Sequence, residues 1–141
     1  MKLSQLREVK ELSNELDVDF RELVEQIVDQ SDDFELGKYR FIKRSEIDKI
    51  QQDELKSDLY ILGCFTDWFI ADNTKLSLKV VQALQKAEAF EELGELIAED
   101  IETIQYQYAR LDGHAHHFNH YDSNEWEVNL NGVDYYYFRI N

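Results

Sequence analysis

The stretch from Asp58 to Ala71, DLYILGCFTDWFIA, is apolar around its whole circumference if it is helical. A helix that is apolar on all sides is normally buried on all sides. The stretch is shorter than the about 20 apolar residues that cross a bilayer, and Asp67 interrupts it. We therefore expect the buried central helix of a single core, with Cys64 as a small buried hydrophobe and Gly63 at a bend or close approach.

Apolar residues recur at helical spacing in several other parts of the chain. Residues that favour helix N-termini or stop a helix mark the ends of these stretches, and Gly94 is a candidate interruption within the last one. The predicted helices are residues 3–16, residues 20–28 after an Asp19 N-cap, residues 47–59 after a Ser45 N-cap, and residues 77 to about 110 from Ser77 to the Asp112-Gly113 stop.

The C-terminal part of the chain has the composition of β-strands. Three aromatic-rich runs, residues 114–122, 125–130 and 133–141, are separated by turn residues, and Asn131-Gly132 is typical of a type I′ hairpin turn. Residues 34–43 are compatible with a short strand or an extended loop. The predicted fold is α+β in one domain, residues 1–141, with N-terminal and central helices around a buried helix and a three-stranded antiparallel C-terminal sheet.

The charge of the chain limits its partners. There are 30 acidic and 15 basic residues, a net charge of −15. Such a surface repels nucleic acid and anionic membranes and attracts basic proteins, including those with nucleic-acid-binding grooves. The single cysteine and the absence of an apolar N-terminal run predict a cytoplasmic protein, and no membrane partner is expected.

Six glutamates advance by three or four residues through the last predicted helix, in which they would form one ridge about 21 Å long. One carboxylate per turn is close to the phosphate spacing along a nucleic-acid strand, and from Glu88 to Asp134 the only basic residue is Arg110. Like charges at this spacing destabilise a helix, which indicates a use in binding. A solvated helix face is the alternative. We call this set the acidic ridge: Glu88, Glu91, Glu92, Glu95, Glu99 and Glu102.

All four histidines lie close together in the first predicted strand. On a strand, His114, His116 and His120 would share one face with Asp122, and neutral imidazoles with a carboxylate can bind zinc or another divalent metal. His117 follows His116 directly. The alternatives are a polar, aromatic-flanked sheet face and a general acid–base role for one histidine. No cofactor other than such a metal is expected.

Residues 71–86 have the pattern of a helix-turn-helix unit: a small residue, a turn, and then a hydrophobic residue followed by serine. A transcription regulator is therefore an alternative function, although Lys75 replaces the usual turn glycine and the net charge opposes DNA binding. An ordinary helical hairpin has the same pattern. The residues that would face a DNA groove are Lys75, Lys79, Gln82, Gln85 and Lys86.

Three segments, residues 60–72, 85–97 and 112–141, together resemble a family of small acidic proteins of phages, prophages and plasmids, to which no activity is attached. Members of that family more often have Gly-Tyr-Gly before the His-His pair where this chain has Gly113-His114-Ala115. That difference favours His116 and His117 over His114 as ligands. The phage-like setting implies a protein that blocks a host defence enzyme.

No P-loop, dinucleotide-binding or serine-hydrolase motif is present, which favours a non-enzymatic protein. The sequence thus predicts an acidic interaction protein whose surface occupies the basic groove of a nucleic-acid-binding partner. The alternatives are a helix-turn-helix regulator and a metal-binding or metal-dependent protein.

Overall fold

A computed structural model describes residues 1–141 and has nine helices and one four-stranded antiparallel sheet, which confirms the α+β class. The helices are α1 (Leu3–Leu16), α2 (Phe20–Val28), α3 (Ile47–Lys56), α4 (Leu59–Gly63), α5 (Asp67–Asn73), α6 (Leu78–Lys86), α7 (Phe90–Ala98), α8 (Ile101–Asp112) and α9 (Ala115–Phe118). The strands are β1 (Asp33–Leu36), β2 (Tyr39–Lys43), β3 (Trp126–Leu130) and β4 (Val133–Arg139).

The chain divides into two compact units. The sheet unit consists of Met1–Ile47 and His114–Asn141, and the helical unit consists of Asp48–Gly113. Buried apolar residues form two separate clusters, one in each unit. A single domain over residues 1–141 stays a prediction.

The sheet has the strand order β1-β2-β4-β3, so the prediction of a three-stranded C-terminal sheet is wrong. The N-terminal hairpin supplies two strands, and β2 pairs with β4 in antiparallel register with Phe41 opposite Tyr137. The β3–β4 hairpin confirms the Asn-Gly prediction, because Asn131 and Gly132 both have positive φ (56° and 82°), as a type I′ turn requires.

Residues 114–122 do not form the predicted strand. They form the short helix α9 and a turn. The cause is Asn119, which is 7 % exposed and whose side-chain oxygen accepts hydrogen bonds from the backbone N–H groups of Tyr121 and Asp122. A side chain that accepts hydrogen bonds from nearby backbone N–H groups in this way stabilises a turn and disfavours a β-strand at the same residues.

One face of the sheet packs against α1 and α2. Phe34 stacks on Phe41 with ring centroids 4.9 Å apart, and both belong to the same apolar cluster as Val9 of α1 and Leu23 of α2. The α1 bounds agree with the prediction, and Asp19 caps α2 as expected by accepting the Glu22 N–H. The predicted Ser45 cap is not formed, and α3 begins at Ile47.

The prediction of one buried central helix is wrong. Residues 58–71 form α4 and part of α5, separated by a break at residues 64–66, and only one face of α4 is covered. Gly63 and Leu62 are buried on that face, whereas Cys64 is exposed, contrary to the prediction. The reason is a tight crossing with α7, which covers α4 on one side only. No helix is both long and apolar enough to cross a membrane.

The last predicted helix is three helices, α6, α7 and α8. It breaks at Glu88, whose φ is +58°, and again at Asp100, whose φ is −111°. Gly94 does not interrupt α7; it lies inside that helix, buried against the backbone of Leu59. Ser77 caps α6 as predicted by accepting the Val80 N–H at 3.2 Å.

Candidate protein-binding surface

The acidic ridge runs through two helices and the turns beside them, so the prediction of one continuous helical ridge is wrong. Glu88 lies in the turn before α7, Glu99 caps the C-terminus of α7, and Glu102 is in the first turn of α8. On α7 itself, Glu91 and Glu95 lie on the face opposite the buried face, as the helical period requires. All six glutamates are solvent-exposed.

No glutamate of the acidic ridge forms an ion pair. Glu91 and Glu95, one turn apart on α7, form a like-charge pair that lowers helix stability. Glu91 and Glu92 are in the first turn, where the helix dipole favours negative charge, whereas Glu95 lacks that compensation.

Some carboxylates elsewhere in the chain are neutralised by basic side chains. In the sheet unit, Asp33 accepts two hydrogen bonds from the Arg40 guanidinium, at 2.8 and 2.7 Å. The ammonium of Lys43 lies 3.0 Å from a carboxylate oxygen of Asp32. These ion pairs lie outside the acidic ridge, whose six glutamates form none.

The helix-turn-helix candidate corresponds to α5 and α6. Of the five side chains expected to face a DNA groove, two form hydrogen bonds with other residues of the helical unit. Gln82 donates to the Asp67 carboxylate at 3.1 Å, and Gln85 donates to the backbone carbonyls of Gly63 and Phe65 at 3.1 and 2.8 Å. The exposed cations that remain in this segment are Lys75, Lys79 and Lys86.

The Gln85 bonds have a structural purpose that the sequence did not indicate. The two carbonyls lie at the end of α4 and in the segment before α5, where a carbonyl has no hydrogen-bond donor within a helix. Gln85 supplies the donor for both. Gln85 therefore stabilises the break in the apolar stretch.

The histidines do not share a strand face, because α9 replaces that strand. His116 and His120 are exposed, and His117 packs edge-on against the Phe118 ring. The Nδ1 atom of His114 lies 3.5 Å from a carboxylate oxygen of Glu125. No group of three or more histidine, cysteine or acidic side chains is arranged to hold a metal ion.

A second polar cluster, centred on Asn119, was not expected from the sequence. The Asn119 amide donates to the Asp122 carboxylate and to the carbonyl of Asn124, both at 2.7 Å. The backbone N–H of Asn124 donates to the same carboxylate at 3.0 Å, and this bond is the main reason why the pKa of Asp122 lies below its usual value. The sequence signal was the concentration of Asn, Asp and Ser at residues 119–124, which is typical of side-chain-stabilised turns.

Of the predicted sites, the acidic ridge keeps all its members exposed, whereas the groove-facing set is partly used inside the fold and the histidines are dispersed. No protein-family model matches the chain, and no curated protein or solved structure is significantly similar to it.

Proposed function

We propose that this protein is a non-enzymatic inhibitor whose acidic ridge occupies the basic, nucleic-acid-binding groove of a partner protein. The observation that carries the proposal is the exposure of all six ridge glutamates without a single ion pair. Repulsion among them costs stability and is relieved when lysines and arginines of a partner approach.

A partner groove that binds phosphates matches the sign of this charge. Carboxylates that meet such a groove mainly raise the association rate and make binding sensitive to salt. The resemblance of the sequence to small acidic proteins of phages, prophages and plasmids favours a host defence enzyme, of the restriction or CRISPR type, as the partner. Direct binding to nucleic acid is not expected, because the net charge of −15 repels phosphates.

The test is inhibition of DNA binding and cleavage by a panel of purified restriction enzymes and CRISPR effector complexes. We expect at least one of these enzymes to be inhibited, and inhibition to weaken steeply as salt rises. The ridge reversal Glu92→Lys/Glu95→Lys/Glu99→Lys should abolish inhibition while far-UV circular dichroism shows an intact fold.

The chain offers a closely matched control. Glu8, Glu11 and Glu15 have the same three-then-four spacing on the exposed side of α1. Their reversal to lysine changes the net charge equally and should leave inhibition unchanged. Inhibition that is indifferent to salt and to the ridge reversal would refute the proposal, as would a tight complex between the protein itself and duplex DNA.

A further inference from the structure

The helix α4 has an apolar face that is only partly covered. Tyr60 and Ile61 are 51 % and 46 % exposed, and Cys64, at the C-cap one turn after Tyr60, is exposed as well. The opposite face carries Leu62 and Gly63, which are buried. The covered face of the helix is thus no more apolar than the exposed one.

The edge of this face is aromatic, and acidic residues adjoin it in the chain. The Tyr60 ring meets the Phe90 ring edge-on, with centroids 5.3 Å apart, and Glu91 follows Phe90 directly. Asp58 caps the N-terminus of α4 by accepting the Ile61 N–H. Between Lys56 and Lys75 the chain contains three aspartates and no lysine or arginine.

We propose that this face of α4 is a docking site for a basic amphipathic helix of a partner protein. Tyrosine is among the residues that most often anchor interfaces, and acidic residues beside it select lysine and arginine around an apolar stripe. A helix with apolar residues on one side and basic residues on its flanks supplies both.

The acidic surroundings argue against the other occupants of an apolar face. A second copy of this chain would bring a rim of like charge against the first, and an anionic membrane surface would be repelled. The proposal does not rest on the function proposed above, because it concerns the apolar face of α4 and not the acidic ridge.

The test uses a fluorescently labelled synthetic helix of roughly 18 leucines and lysines, with leucines at i, i+3, i+4 and i+7, and a scrambled peptide of the same composition. Fluorescence anisotropy should show saturable binding of the amphipathic peptide and binding of the scrambled one weaker by about tenfold or more. Tyr60→Ser/Ile61→Ser should weaken binding of the amphipathic peptide by about tenfold or more.

The matched control is Leu3→Ser/Val28→Ser, which also removes two exposed apolar side chains, here from the sheet unit, and should bind as the unmodified protein does. Asp58→Asn keeps an N-capping side chain but removes a rim charge, so it should bind more weakly and with less dependence on salt. Melting curves show whether each variant folds. If Tyr60→Ser/Ile61→Ser does not fold, the peptide affinity of Asp58→Asn and its salt dependence test the proposal instead.

Three outcomes would overturn the proposal. The first is equal binding of both peptides or unchanged binding by the folded Tyr60→Ser/Ile61→Ser variant. The second is self-association in sedimentation velocity that this variant abolishes, which would assign the face to a second copy. The third is binding to phosphatidylcholine vesicles that depends on the same two residues, which would assign it to lipid.

Discussion

The Cα of Gly63 on α4 lies against the main chain of Phe90 on α7, so close that a Cβ at Gly63 would stand 2.7 Å from the Phe90 carbonyl carbon and nearer still to its oxygen. Gly94 on α7 has the same relationship with Leu59 on α4. Each helix thus places a glycine against the backbone of the other, and this reciprocal contact sets how closely the two helices cross.

Substitution of either glycine tests this crossing. Gly63→Ala or Gly94→Ala should lower the free energy of unfolding by roughly 3 kcal/mol, because the added methyl meets backbone atoms that cannot move aside without separating the helices. Urea unfolding followed by circular dichroism measures the loss. Ala83→Ser, which adds one atom on the exposed side of α6, is the control and should cost less than about 1 kcal/mol. A stabilising Gly94→Ala would contradict the close crossing.

The like-charge cost of the acidic ridge should be measurable in the isolated protein. Glu95→Lys replaces the repulsion between Glu91 and Glu95 with an attractive pair in the favourable orientation, so we expect a gain of about 0.5 kcal/mol in unfolding free energy at low salt. The gain should shrink in high salt. Glu11→Lys, where Arg7 lies one turn earlier on α1, should give no such gain. Equal effects of the two changes would show that the ridge carries no special repulsion.

The turn held by Asn119 should depend on that side chain. Asn119→Ala leaves the backbone N–H groups of Tyr121 and Asp122 without their acceptor in a mostly buried position, and should cost about 2–3 kcal/mol of unfolding free energy. Asn129 also donates to a carboxylate, that of Asp134, but it is exposed, so Asn129→Ala should cost less than about 1 kcal/mol. Thermal or urea unfolding compares the two. Similar losses of unfolding free energy in the two variants would mean that the burial of Asn119 does not increase its contribution to stability.

Alkaline pH should destabilise the sheet unit through three consecutive tyrosines of β4. Burial is the main cause that raises the pKa of Tyr135, Tyr136 and Tyr137 above the usual value, and for Tyr136 a hydrogen bond with Glu127 adds to it. The folded protein therefore keeps protons that the unfolded chain releases near pH 10. The contribution of these three tyrosines to the free energy of unfolding is fully present below about pH 10. It is lost as the pH rises through their pKa values in the folded protein.

Urea unfolding at a series of pH values measures this loss. Tyr136→Phe removes one of the three ionisable groups, so stability of this variant should fall less steeply with pH above about 10. A variant whose stability falls as steeply as that of the unmodified protein would show that Tyr136 does not contribute.

Divalent metal should not stabilise the protein, because the histidines are divided between α9 and the residues that flank it and form no cluster of three potential ligands. A ligand that binds only the folded state raises the melting temperature. We therefore expect no rise with saturating Zn²⁺ or Ni²⁺ in differential scanning fluorimetry. A rise that disappears in His116→Ala/His120→Ala would restore the metal-binding hypothesis.

The sequence alone determined the elements whose signals are local. Helical periodicity gave α1 its bounds, Asp19 and Ser77 marked the starts of α2 and α6, and Asn131-Gly132 placed the β3–β4 turn. Each of these depends on residues within one turn of each other, which a linear pattern contains in full. The net charge and the order of the ridge glutamates were likewise fixed by the sequence.

The tertiary structure decided which of these surfaces are covered. The pairing of β2 with β4 joins segments far apart in the chain, so the sequence could not show that the sheet has four strands. The apolar stretch at residues 58–71 gave no sign that one face of α4 stays exposed, because that depends on the crossing at Gly63 and Gly94 and on the Gln85 bonds at the break. Periodicity records which residues share a face of a helix, but only the packing of the other helices determines which face is buried.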